Sequence, residues 1–232
     1  MNAQYYTIHY DFNFPSGSQQ QFELVLDEAT FTLVNFNGEA RPDWARLSNK
    51  QCDCCPLSED THPYCPIALN IAELVDYFKD SLSIEKCEVK CSTPERIYLK
   101  HTSVQDGLYS ILGIVMATSD CPVMAFYKPM ARFHLPFSTT KETLFRSASV
   151  YLLQQYFEYK RGRQPDLEMQ ELGRQLQRVQ QVNTGILARI RSVSSKDADS
   201  NAVIILDSFS QLLGMAIDNR LSSLEYLFPA ND

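Results

Sequence analysis

Residues 94–118 read PERIYLKHTSVQDGLYSILGIVMAT, and the hydrophobic period changes inside them. As far as His101, Ile97 and Leu99 alternate with polar neighbours, the pattern of a strand. From Ser103 onward, Val104, Leu108, Ile111, Leu112 and Val115 recur at steps of three or four, the pattern of one helical face. Ser103 followed three residues later by Asp106 predicts a capping box at the junction. The chain therefore divides into a β-rich region, 1–102, and a helical region, 103–232, packed as one unit.

Reading back toward the N-terminus, SIEKCEVKCS (83–92) alternates as a strand, with Cys87, Val89 and Cys91 on its buried face. It predicts a hairpin with the following strand, turning around Ser92–Glu95. PIALNIAELVDYFKD (66–80) predicts a helix with Ile67, Ile71, Leu74, Val75 and Phe78 on one face. Pro66 suits its first position and makes Cys65 the cap residue. QYYTIHYDF (4–12), QQFELVLD and ATFTLVNF predict three successive strands of an antiparallel meander. PSGS (15–18) turns the first pair, and NGE (37–39) closes the third.

Reading forward, Thr139 with Glu142 predicts a second capping box, opening a helix that ends near Gly162. Pro165 marks the start of a long helix whose stripe is Leu172, Leu176, Val179, Val182, Ile186, Ile190 and Val193. Asp197 is placed as the cap of a last helix, apolar nearly all round and hence central. The fold class is α+β: an N-terminal antiparallel sheet with one helix, followed by a C-terminal helical bundle.

At 232 residues the chain can bury a substantial core. Its net charge of −7 lies wholly in residues 1–102, which hold 15 acidic and 8 basic side chains, while residues 103–232 hold 13 of each. Such an acidic surface repels phosphate backbones and argues against nucleic-acid binding. No apolar run nears the ~20 residues of a membrane span, the longest lying around Ile111–Ala117. The first residues lack a basic and apolar leader, so a cytoplasmic location is expected. There, thiols stay reduced, and clustered cysteines bind metal or do redox chemistry more often than they form disulfides.

The cluster is CDCCPLSEDTHPYCP, residues 52–66, with four of the seven cysteines. Cys52 and Cys55 have the spacing of a metal knuckle, in which a tight turn aims both sulfurs at one ion. Cys65 follows across nine residues, at a helix start whose dipole favours a thiolate. Cys55, Cys65 and Cys121 are each followed by proline, which fixes the backbone beside a ligand and lacks an N–H. The metal set is Cys52, Cys55, Cys65 and Cys121, with His62 the other candidate for the fourth position. Zinc is the expected ion, in a structural site of a binding or regulatory protein; the alternative is a redox protein with an iron–sulfur cluster or a reactive dithiol. Cys87 and Cys91 read as core, and Cys54 as incidental. Lys160, Arg161 and Arg163 offset a helix C-terminus. No phosphate loop, dinucleotide fingerprint, HExxH or GxSxG occurs, so no enzyme activity is expected. The helical half offers a surface for a protein partner or a second copy.

The run PDWARL, QCDCCPL, HPYCPIALNIAELV, GLYSILGIVMATSDCPVM, RFHLPF and YLLQQYF resembles a bacterial family designated a domain of unknown function. The shared pattern is CxxCPL, HPxCP and TSxCPVM. Cys52, Cys55, His62, Cys65 and Cys121 fit it, and Cys54, Cys87 and Cys91 lie outside it. The resemblance implies no activity.

Overall fold

The computed structural model describes residues 4–35 and 41–229. Its strands are β1 (Tyr5–Asn13), β2 (Gln19–Asp27), β3 (Lys86–Ser92) and β4 (Ile97–Ser103). They form one antiparallel sheet in the order β2-β1-β3-β4. The helices are α1 (Pro66–Phe78), α2 (Val104–Ala117), α3 (Lys128–Arg132), α4 (Thr140–Lys160), α5 (Gln170–Ile190) and α6 (Ala198–Asp218). The α+β class and the change from strand to helix at Ser103 are as the sequence indicates.

Period-two alternation puts one face of the sheet in the core. Tyr6, Ile8, Tyr10 and Phe12 of β1 are buried beside Phe22, Leu24 and Leu26 of β2 and Cys87, Val89 and Cys91 of β3. This face packs against α1 and α2. Phe12 and Phe78 have ring centroids 5.1 Å apart, and α2 lies so close that a Cβ on Gly107 would stand 2.5 Å from Phe12 Cε1 and 2.8 Å from Val89 Cγ2. Gly107→Ala should therefore destabilise the fold by about 1–3 kcal/mol, although alanine is the better helix former by ~1 kcal/mol. Urea unfolding that left the variant as stable as the parent would refute this close approach. Beyond α2, α5 and α6 stack as a third layer, and one hydrophobic cluster runs from the sheet through α1 and α2 into both.

Several local expectations need correction. Residues 28–35 do not form a third full strand. Asp27 accepts from the amides of Ala29 and Thr30 and from Thr30 Oγ1, curling the chain, and the return to β2 is a single bridge of Leu33 to Leu26, with Val34 N donating to Val25 O. The partner on the other side of β1 is β3, so the sheet is not a meander; the expected NGE turn lies outside the described residues. Ile97 and Leu99 face solvent on the edge strand β4. Ser103 makes no cap bond with its side chain, and Asp106 instead accepts from Thr102 Oγ1. The Thr139–Glu142 capping box is complete. α5 begins at Gln170, five residues after Pro165. Met169 is left-handed, and Asp166 accepts from the amides of Gln170 and Glu171. Val193 lies beyond the helix and is partly exposed.

Asp197 does not cap its helix through the side chain. Its carboxylate accepts from Ser83 N and Ser83 Oγ, and Lys79 O accepts from the amides of Ser195 and Lys196. These bonds fasten the α5–α6 turn to the end of α1. By length and composition α6 could cross a bilayer, but Ala198, Ala202, Val203, Leu213 and Ile217 pack it into this fold. Nor is it central: Ile204, Leu212 and Met215 are exposed, because α6 forms an outer layer.

Asp199, beside that turn, is 1% exposed; Ser194 Oγ donates to one carboxylate oxygen and the other has no partner. Burial raises this carboxyl from 3.8 to about 7. The folded state thus holds a proton that the unfolded state has lost, so stability falls as pH rises from about 4 to 7 and is level above. His134 acts oppositely: burial, then the Arg146 charge, lowers its imidazole to about 3. Its contribution is complete above pH ~6.5 and is lost as pH falls toward 3. The two slopes offset between roughly pH 4 and 6.5. Asp199→Asn should raise stability at pH 8 by up to about 4 kcal/mol, and should expose a decline on acidification that the parent conceals. Parallel pH–stability curves for the two proteins would contradict it.

Candidate metal centre

The loop before α1 is shaped by backbone pairing. A 3-10 turn at Asp43–Ala45 leads into a bridge between Arg46 and Tyr64. Leu47 N donates to Pro63 O, and Cys65 N donates to Ala45 O at 2.8 Å. The loop ends are thereby pinched together beside the start of α1. Arg189 of α5 seals the pinch. Its Nη1 donates to Trp44 O and Arg46 O, and its Nη2 to Leu47 O, at 2.9, 2.6 and 2.9 Å. Arg189 is 1% exposed, and among the described residues no carboxylate lies within ion-pair distance of it.

The cysteines occupy the space behind that pinch. Cys55 N donates to Cys52 O, closing the tight turn between them. Cys52 Sγ rests against α5, 4.0 Å from Val182 O, where Gly185 makes room: a Cβ there would come within 2.7 Å of the sulfur. Cys65 caps α1, and Cys121 sits in the turn after α2; both are 7% exposed. The four sulfurs share one neighbourhood. Cys52 feels the charges of Cys65, Cys54, Cys55 and Cys121, and Cys121 those of Cys65 and Cys55. Among the described residues no three His, Cys, Asp or Glu side chains form a ready-made coordination shell.

Electrostatics divides these thiols by backbone geometry. Burial, and then the neighbouring sulfurs, push Cys52 up to about 12. Burial also pushes Cys121 up to about 11, but the amides of Met124 and Val123 favour its thiolate. Cys65 is raised by burial and pulled back by the amide of Ala68, the Arg189 guanidinium and the amide of Ile67. The parallel has a local cause. In Cys-Pro-Ile-Ala and Cys-Pro-Val-Met the proline has no N–H, so the next two amides are those turned toward sulfur.

The remaining candidates stand apart. His62 is exposed, its Nδ1 paired with Thr61 Oγ1. Cys54 lies close enough to act on Cys52, but its Sγ donates to Arg178 O, on the α5 side of the turn. Cys87 and Cys91 line the inner face of β3 as core residues. Arg189 and Gly185 escaped the sequence reading. Arg189 had a visible signal, since it lies three residues after Ile186 within the apolar stripe of α5, where a charge needs a buried partner.

The fold and site together define an α+β protein with a cluster of free thiols at the seam between a pinched loop and three helices. The chain belongs to the family described as Domain of unknown function (DUF6901), whose model matches residues 8–229. No curated protein and no solved structure is similar enough to this chain to count as a match.

Proposed function

We propose that this is a non-enzymatic metal-binding protein of a reducing cytoplasm, in which Cys52, Cys55, Cys65 and Cys121 hold one structural zinc ion. The observation that carries the reading is the shared neighbourhood of four unpaired thiols from three separate chain segments. Burial opposes thiolates there, so a cation that replaces their protons is what would make the charged form stable. Four thiolates around a divalent ion leave a net negative centre. The buried Arg189 charge, which has no carboxylate partner among the described residues, lies where it would compensate that centre.

A shell filled by four protein ligands has no open position for a substrate, which is the physical ground for a structural role. Closure of the shell would be coupled to ion binding, as is usual where the apo site is incomplete. A reactive dithiol is disfavoured because burial raises Cys52 and Cys121 instead of lowering them. An iron–sulfur cluster would draw on the same thiols. Metal analysis and the visible spectrum of anaerobically purified protein separate these readings. One zinc per chain and no visible absorption support the proposal. A brown protein containing iron and sulfide replaces zinc with a cluster, and a metal-free protein with four titratable thiols refutes the site.

A further inference from the structure

A cavity of about 140 Å³, open to solvent on one side, lies between α2, α3, α4, α5 and α6. Its wall is largely apolar: Met116, Met124, Met130, Leu206 and Leu213. One end is polar. His134 Nε2 pairs with Tyr10 Oη, which also pairs with Ser110 Oγ, and Ser110 Oγ accepts from Phe137 N. These groups satisfy one another.

Arg146, at the same cavity, is less satisfied. Its Nη2 donates to Met130 O and Phe133 O at 3.0 and 2.8 Å. Among the described residues nothing accepts from its Nε or Nη1, and no carboxylate lies within 4.0 Å. Glu142, one turn before it on α4, is committed to the capping box, accepting from Thr139 N and Thr139 Oγ1. A half-buried guanidinium that faces an apolar cavity with donors to spare is a site for a planar anion. Burial lowers the pKa of this guanidinium, a direction that an arriving anion would reverse.

We propose that this cavity binds a small organic monocarboxylate, its carboxylate on Arg146 and its hydrocarbon body among Met116, Met124, Leu206 and Leu213. The size sets the class. A cavity of about 150 Å³ accommodates benzene, so a benzoate or a short fatty acid fills this one and a long-chain acid does not. The cavity meets the cysteine cluster only at the Cys121–Met124 turn, and its readout, the contrast between acid and amide in one preparation, does not depend on metal.

The experiment follows the methyl resonances of Met116, Met124 and Met130 during titration with hexanoate and, separately, hexanamide. Saturable shifts are expected, with hexanoate binding about tenfold more tightly than the amide, as a charge-assisted pair gives. In Arg146→Gln that preference should vanish while both probes still bind through the hydrocarbon. A merely structural Arg146 would not distinguish acid from amide. The proposal is overturned if the methyls do not move by about 10 mM probe, if acid and amide titrate alike in the parent, or if Arg146→Gln keeps the preference. Should that variant not fold, the acid–amide contrast in the parent decides alone.

Discussion

Cys121→Ser is expected to empty the metal site and lower the melting temperature by about 10 °C or more. Cys121 lies in the turn after α2, whereas Cys52 and Cys55 belong to the loop before α1 and Cys65 is the cap residue of that helix. An ion shared by all four fastens two segments separated by more than fifty residues, and closing so long a loop is where a cross-link stabilises most. Serine preserves the shape of the turn and removes the thiolate, and the zinc content separates lost ligation from the cost of burying a hydroxyl. Structural zinc contributes on the order of 10 kcal/mol in small peptides; this protein has its own core, so a fraction of that is expected. Cys54→Ser is the control, because Cys54 Sγ is directed at Arg178 O. Zinc content should fall in Cys121→Ser and persist in Cys54→Ser. Full zinc and an unchanged melting temperature in Cys121→Ser would remove Cys121 from the set.

Arg189→Met should destabilise the protein by about 3–5 kcal/mol even without metal. This guanidinium donates to three loop carbonyls; those of Trp44 and Arg46 also accept from Asn49 Nδ2 and Asn49 N, whereas that of Leu47 has no other donor among the described residues. A buried acceptor left without its donor costs roughly 1–3 kcal/mol, and methionine replaces only the hydrocarbon stem. Arg189→Lys should recover part of the loss, since an ammonium lacks the planar fork that spans the three oxygens. The pinch positions Cys65, so zinc affinity should weaken in the same variants. Chemical denaturation checks the first effect and competition with a chelator the second. A melting temperature within about 2 °C of the parent for Arg189→Met would show that the loop does not rest on Arg189.

The periodic elements were the legible ones. The change of period at Ser103, the α1 stripe ending at Phe78 and the Thr139–Glu142 box are local patterns, and local geometry realises them. Failures came where tertiary contact overrode local preference. ATFTLVNF has strand composition, but Asp27 curls its start, and because β1 already pairs with β2 and β3 the segment adds only the bridge from Leu33 to Leu26. α6 is apolar on several faces, yet only one meets α2 and α5, and a single sequence does not say which neighbours exist. At the thiol cluster, Cys-x2-Cys and the Cys-Pro pairs were readable because they constrain adjacent residues. The pinch sealed by Arg189, the space left by Gly185 and the cavity at Arg146 depend on groups more than a hundred residues apart, where no periodicity points.

Zinc K-edge X-ray absorption on the protein as purified tests the central claim most directly. One zinc per chain surrounded by four sulfurs at about 2.3 Å is the predicted shell. A shell dominated by oxygen or nitrogen, or a protein carrying no stoichiometric zinc, would contradict it.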